Sequence, residues 1–226
     1  MPRFVTGVVA SAALLAAALF APAAQAAPCD GVGMQQPFLA WHDSADYVLV
    51  DGGDFETDAA GWTLDGAATT VAGGNSLRPE SSASSLGLPA GSAATSPPIC
   101  VSKGNPTARL FAQAPVTGKK KARIKVDVLY LNPDGSVRKV KTAGRVKAKS
   151  EWAPTRKFSL AQGQFNHAKP EEPGSNGHGG PKPEGHGGPK PGEGDSARSA
   201  QIALRFTPRD TEVRIDDVFV DPRLRR

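Results

Sequence analysis

The sequence contains few aromatic residues and few cysteines. Aromatic side chains make up 6% of the 226 residues, and only two residues are cysteine. After residue 26 no run of about 18 apolar residues occurs, which excludes a membrane-spanning helix from that part of the chain. Gly-x-Ser-x-Gly, His-Glu-x-x-His and Gly-x-x-x-x-Gly-Lys motifs are also missing. The common signatures of hydrolases, zinc proteases and nucleotide-binding proteins are therefore absent.

Glycine, proline and basic residues are plentiful. The chain has 25 Gly, 20 Pro, 27 Lys+Arg and 22 Asp+Glu, which gives a formal net charge of +5. With 39% hydrophobic residues, this composition predicts one modest globular domain with irregular segments.

Residues 1–26 have the organisation of a secretory signal peptide. Arg3 precedes an apolar stretch at residues 8–20, and residues 24–26 form the small-x-small pattern that signal peptidase cleaves. We therefore predict a secreted, extracellular protein. A lipid anchor at Cys29 is the alternative, and Pro28 before that cysteine disfavours it.

Cys29 and Cys100 would be the only thiols of the mature chain, in an oxidising compartment. An even pair predicts a disulfide there, and two free structural thiols are the alternative. The loop it closes would stabilise the fold by roughly 4 kcal/mol in the chain-entropy description. We expect this bond to tether an N-terminal segment, residues 27–45, to the domain.

A low-complexity insertion is predicted at residues 166–195. Fifteen of its 30 residues are Gly or Pro, and its only apolar side chain is Ala168, so it is predicted to be disordered. His178 and His186 recur in a Gly/Pro/His-rich repeat. Weak metal binding is one interpretation, but this spacing on a flexible tether favours a spacer.

The remaining segments read as short β-strands. Ile124, Val126, Val128 and Tyr130 alternate with polar residues, and residues 132–135 supply a turn before a second basic strand. Comparable alternation occurs at residues 201–206 and 213–219, whereas no segment after residue 26 shows ten residues of helical periodicity. The predicted fold class is all-β, an antiparallel β-sandwich or jelly roll.

Two segments carry a resemblance to a known fold. Residues 49–56 with Gly61 and Trp62 resemble the opening strand of galactose-binding-like jelly rolls, the fold of many carbohydrate-binding modules, and residues 215–218 resemble their closing strand. More narrowly, the chain resembles a family of small secreted bacterial proteins of unassigned function. The resemblance implies a domain at 46–222, interrupted by the insertion and followed by a basic tail at 223–226.

The resemblance also implies a structural calcium ion where the first and last strands meet. Carried over by motif, oxygen ligands would come from Glu56, from the backbone near Gly53, and from Asp216 or Asp217, of which strand alternation favours Asp216. The alternative is that these acids are solvated or cap turns.

Charge identifies the second candidate site. From Lys119 to Lys157 there are 13 basic and three acidic residues. If the register allows, a basic hairpin would present Arg123 and Lys125 beside two lysines of the second strand on one outward face. The candidate binding residues are Lys119, Lys120, Lys121, Arg123, Lys125, Lys139 and Lys141. They would attract an extracellular glycan or anionic envelope polymer, whereas the alternative is a solvated, edge-protecting surface.

Three functions follow in order. The sequence favours a secreted, non-catalytic binding module. A structural module that acts through a protein partner is second, and a glycoside hydrolase is third. Trp41 and Tyr47 are the candidate sugar-stacking platforms, since Trp62, Trp152 and Tyr130 are expected to pack the sandwich. No specific nucleic-acid motif is present.

Overall fold

The computed structural model describes residues 33–78, 83–102, 106–115, 122–160 and 199–222. Its strands are β1 Val48–Leu49, β2 Thr63–Asp65, β3 Thr69–Ala72, β4 Ser84–Leu88, β5 Ala93–Thr95, β6 Ile99–Ser102, β7 Thr107–Gln113, β8 Arg123–Leu131, β9 Val137–Lys147, β10 Ala153–Pro154, β11 Phe158–Ser159, β12 Ser199–Pro208 and β13 Val213–Asp221. A short 3-10 helix covers Leu39–Trp41, and these ranges contain no helix long and apolar enough to cross a membrane.

The strands form two antiparallel sheets that pack face to face. The front sheet has the order β2-β5-β12-β8-β9, with β6 also paired to β12. The back sheet has the order β10-β7-β13-β4-β3, with β1 on β13 and β11 on β7. The predicted all-β sandwich is therefore confirmed, and the described residues contain no α-helix.

The alternating sequences build the core between the sheets. In β8, Ile124, Val126 and Val128 are fully buried, and in β12 Leu204 and Phe206 meet them from the neighbouring strand. Every second side chain of a strand points to the same side, so these runs place one apolar face inward. The strands predicted from period-two patterning are confirmed.

The opening and closing strands lie side by side. Val48 pairs with Val220 and Leu49 with Phe219, as the resemblance implies. Beyond β1, the Gly53 carbonyl accepts a 3.0 Å hydrogen bond from the Val218 N–H. A side chain at Gly53 would bring its Cβ within 2.8 Å of the Val50 carbonyl oxygen. Glycine therefore permits this close approach.

The segment 33–47 covers the outer face of the back sheet. Phe38 and Tyr47 are fully buried there against Phe111 and Phe219, whose neighbours in β7 and β13 face the main core. The Phe38 ring lies 5.3 Å from Phe111 and 5.6 Å from Phe219. We call these four residues the aromatic cluster, and it holds the N-terminal segment in place.

Several predictions fall outside the described residues. These are the signal peptide at 1–26, Cys29, Lys119–Lys121, the insertion at 166–195 and the tail at 223–226. They stay predictions.

Candidate functional site

The register of the basic hairpin differs from the one that the sequence suggests. The turn forms as predicted, with the Gly135 N–H bonded to the Asn132 carbonyl, and Leu131 pairs with Val137. A bulge then inserts Arg138, so that Lys139 pairs with Tyr130. Because one extra residue moves every following side chain to the other face, Lys139 and Lys141 share the inward side. Lys141 pairs with Val128.

A second bulge, at Ala143, restores the outward orientation for the end of β9. Lys125 now lies opposite Arg145, and Arg123 lies opposite Lys147. The predicted shared face of Arg123 and Lys125 with Lys139 and Lys141 is therefore wrong. The basic face consists instead of these two cation pairs, which we call the cationic ladder: Arg123, Lys125, Arg145 and Lys147.

One acid partly neutralises the ladder. Asp127, on the same face of β8, accepts a 2.7 Å ion pair from Lys125 Nζ and a 2.7 Å hydrogen bond from Thr142 Oγ1. Among the described residues, no carboxylate forms an ion pair with Arg123, Arg145 or Lys147. Like charges placed directly opposite each other on a sheet reduce stability, so the ladder is a costly arrangement without an anion.

Beside the ladder lies a cavity of about 770 Å³, which we call the inter-sheet groove. Residues 143–150 of the front sheet line one side, and residues 154–159 of the back sheet line the other. The buried side chains of Val146, Phe158, Ala114 and Ala122 are among its apolar lining.

The groove exists because the chain changes sheets after β9. The Lys149 carbonyl accepts a 2.6 Å hydrogen bond from the Ala114 N–H, and Ala148 donates to the Ala122 carbonyl. β10 then joins β7 in the back sheet, where Ala153 pairs with Ala112. The crossing leaves the end of β9 facing residues 154–159 across open space.

The groove is strongly cationic. Its lining includes five basic residues and no acidic one: Arg145, Lys147, Lys149, Arg156 and Lys157. Only Lys157 has a printed carboxylate partner, the Asp43 side chain at 2.6 Å. Among the described residues no acid forms an ion pair with the other four.

Asp43 connects the N-terminal segment to this groove. It is 5% exposed and accepts hydrogen bonds from the Tyr47 hydroxyl at 2.8 Å and from Arg109 Nη1 at 2.9 Å. Burial raises the pKa of Asp43, but hydrogen bonds from Lys157, Tyr47 and the Ala45 N–H outweigh burial and lower it overall. The carboxylate therefore stays ionised and fixes the position of Lys157.

The aromatic candidates for sugar stacking lie in the N-terminal segment. Tyr47 is fully buried, so its prediction as a stacking platform is wrong. Trp41 is half-buried and packs edge-on against Phe111, at 5.5 Å between ring centroids. As expected, Trp62 and Tyr130 are buried in the core, whereas Trp152 packs against the aromatic cluster.

The acids assigned to calcium lie close to one another. A bulge follows Asp216, and Asp217 adopts a positive φ of 48°, which breaks the strand alternation. Asp216 accepts a 2.7 Å hydrogen bond from the Asn75 N–H, while Asp217 accepts one from the Asn75 side-chain amide. Both carboxylates therefore contact Asn75, contrary to the expectation that only one could point this way.

Burial raises the pKa of Asp216 to about 8, and the negative charges of Asp217 and Glu56 also raise it, against hydrogen bonds from two backbone N–H groups. Such carboxylates are the hard oxygen donors that calcium prefers. Glu56 Oε1, however, accepts the N–H groups of Ala83 and Ser84. Within the described residues no three acidic, His or Cys side chains are arranged to hold a metal ion. The donor chemistry fits calcium, whereas the arrangement would have to change.

The sequence prediction missed the functional residues of the groove. Arg145, Lys147 and Lys149 alternate with Val146 and Ala148, which is the same period-two signal that identified Arg123 and Lys125. Arg156 had no such signal, because its position depends on the chain crossing. Cys100 lies in β6, half-buried, and its pairing with Cys29 stays a prediction.

No protein-family model matches the sequence, and no curated protein does. Similar solved structures include a carbohydrate-binding module joined to the catalytic module of Clostridium thermocellum endo-1,4-beta-D-xylanase 10B, in complex with xylohexaose. It is 14% identical, with a TM-score of 0.44, and the match covers 78% of this chain and 28% of that one.

Two further similar structures are isolated binding modules. The xylan-binding domain of Paenibacillus barcinonensis Xyn10C is 11% identical over 78% of this chain and 94% of its own, with a TM-score of 0.44. TmCBM61, in complex with beta-1,4-galactotriose, is 14% identical over 77% of this chain and 98% of its own, with a TM-score of 0.39. Structures similar to this chain are thus β-sandwich carbohydrate-binding modules.

Proposed function

We propose that the mature chain is a secreted, non-catalytic binding module that contacts an extracellular glycan or anionic envelope polymer through the cationic ladder. Lys119, Lys120 and Lys121, which precede β8 in the sequence, belong to the same proposed surface. A single observation carries the proposal. Two pairs of like charges face each other across β8 and β9, and three of the four cations have no carboxylate partner among the described residues.

An anionic polymer would relieve the repulsion within the ladder. Lysine and arginine that neutralise a polyanion displace its counterions, so this mode of binding weakens steeply with salt. Protection of the sheet edge is the competing interpretation of the same lysines. It predicts no retention on a polyanion beyond that of any basic protein.

The test is retention of the secreted chain on immobilised polygalacturonate and on purified teichoic acid, at about 50 and about 200 mM salt. The first polymer offers carboxylates and the second offers phosphodiesters. We expect the double variant Arg123→Gln/Lys147→Gln to weaken retention and to reduce the slope of log affinity against log salt by about two.

The matched control is Lys139→Gln/Lys141→Gln. It removes the same charge from the same hairpin but on the inward side, so retention should stay near that of the parent. Equal weakening by both double variants would contradict the assignment to the ladder. Retention that does not respond to salt would reject the proposed mode of binding, and turnover of chromogenic glycosides would reject a non-catalytic role.

We also propose a structural calcium ion bound by Glu56, Asp216 and Asp217, with a backbone oxygen near Gly53. The repulsion that raises the pKa of Asp216 supports it. Calcium that binds only the folded state should raise the melting temperature at fixed ionic strength, and Glu56→Gln should reduce that shift. An identical melting temperature with calcium and with a chelator would count against the site.

Export and the disulfide are part of the same proposal. Signal peptidase should cleave after Ala26, and the mature protein should contain a bond between Cys29 and Cys100. Mass spectrometry of the protein from culture medium should give a chain that begins at Ala27 and has two hydrogens fewer than the reduced form. Full thiol reactivity in denaturant without a reductant would contradict the bond.

A further inference from the structure

We propose that the inter-sheet groove binds a short uronate-containing saccharide, whose carboxylate lies between Lys149 and Arg156. The inference rests on the proposed function, because it specifies a ligand for a glycan-binding module. It assigns that ligand to a different part of the molecule from the rest of the ladder. Arg145 and Lys147 border both regions, whereas Lys149 and Arg156 line only the groove.

Charge selects an anionic group. The lining contains no acid, and Lys149 and Arg156 form no ion pair with any described carboxylate. Lys149 belongs to the front side of the groove and Arg156 to the back side. A carboxylate between them would receive hydrogen bonds from two cations, and such charge-assisted bonds are stronger than bonds between neutral groups.

The backbone holds these positions. Lys149 is fixed by the hydrogen bond from Ala114, at 2.6 Å. On the other side Thr155 exchanges backbone hydrogen bonds with β7, through its N–H to the Leu110 carbonyl and through its carbonyl from Arg109 Nε. The ion pair of Lys157 with Asp43 fixes the next residues. A site supported in this way loses little entropy on binding.

The apolar lining and the size suit a saccharide. About 770 Å³ lies within the range of small-molecule sites and accommodates a few linked sugar units. The C–H groups of a sugar ring can pack on Ala143, Ala148 and the edge of Val146. Phe158 is the only aromatic residue of the lining and is 7% exposed, so ring stacking contributes little here. An uncharged glycan would therefore bind weakly.

The test is calorimetry of the full mature chain with trigalacturonate and with its trimethyl ester. The two ligands share rings and linkages and differ in charge. We expect the parent to bind the acid at least about tenfold more tightly than the ester. Lys149→Gln/Arg156→Gln should abolish this preference, whereas the control Lys139→Gln/Lys141→Gln should keep it. Melting temperatures report whether each variant is folded.

Three outcomes would overturn the inference. The first is equal affinity of the parent for acid and ester, and the second is an unchanged preference in a folded Lys149→Gln/Arg156→Gln variant. The third is equally tight binding of triglutamate, which would show that the groove recognises carboxylates without recognising sugar. If any of these occurs while polygalacturonate retention still depends on Arg123 and salt, the groove assignment fails and the proposed function stands.

Discussion

Asp43→Asn is expected to destabilise the fold by removing the charge that organises the N-terminal segment. Both carboxylate oxygens accept two hydrogen bonds, and the donors are Tyr47, Arg109, Lys157 and the Ala45 N–H. An asparagine keeps one oxygen and turns an N–H₂ group toward two donors. Removing one partner of a buried ion pair costs about 3–5 kcal/mol. We take about 3 kcal/mol, because Lys157 is partly exposed and its contribution is screened by solvent.

For a domain of this size, that loss lowers the melting temperature by roughly 6–12 °C. The effect should depend on pH. The pKa of Asp43 is lowered by folding, so its stabilisation is complete above the ordinary value of an aspartate and is lost as the pH falls through the lower folded value. The parent and the variant should therefore differ most at neutral pH and converge in acid.

Urea unfolding at about pH 7 and about pH 2.5 measures both effects. The control is Asp210→Asn, whose carboxylate is 43% exposed and lies 3.6 Å from Arg209 Nε, and it should change stability little. A loss below about 0.5 kcal/mol for Asp43→Asn at neutral pH, or the same loss at both pH values, would refute the reasoning.

Three further changes test the packing. Phe38→Ala should cost about 3–4 kcal/mol in urea unfolding, because its ring joins two phenylalanines of the back sheet, and a small loss would mean that the N-terminal segment is held by other contacts. Gly52→Ala, at φ 59° with the new Cβ 2.6 Å from a backbone oxygen, should lower the melting temperature more than Gly91→Ala, where φ is 84° and space is open; equal shifts would rule out the clash. Burial and then Asp43 raise the pKa of Tyr47, so the parent should lose stability above about pH 10, where unfolded tyrosine ionises, and Tyr47→Phe should lose less.

The sandwich could be predicted because its core strands alternate clearly. Ile124, Val126 and Val128 leave one apolar face, and no tertiary contact overrides it. The face of the basic residues could not be predicted in the same way, since it depends on two single-residue bulges. Gly144, next to the second bulge, has a φ of 155°, and glycine inside a strand was the only local sign of an irregularity.

The N-terminal segment and the groove depend on contacts between distant parts of the chain. Asp43 bonds Arg109, which is 66 residues away, and no local pattern links them. The sequence therefore assigned the tether to a disulfide alone, whereas the aromatic cluster and Asp43 also hold the segment. The groove likewise requires the end of β9 to pass from one sheet to the other, a path that hydrophobic periodicity does not encode.

The pairing of β1 with β13 determines how the fold would respond to mechanical force. Val48, at the start of β1, lies opposite Val220, near the end of β13, so a pull on both chain ends would open this ladder one hydrogen bond at a time. A bond between Cys29 and Cys100 would change the route of the load. Tension that arrives at Cys29 would then pass directly into β6, which is hydrogen-bonded to β12 in the other sheet, and β1 would not have to peel away first.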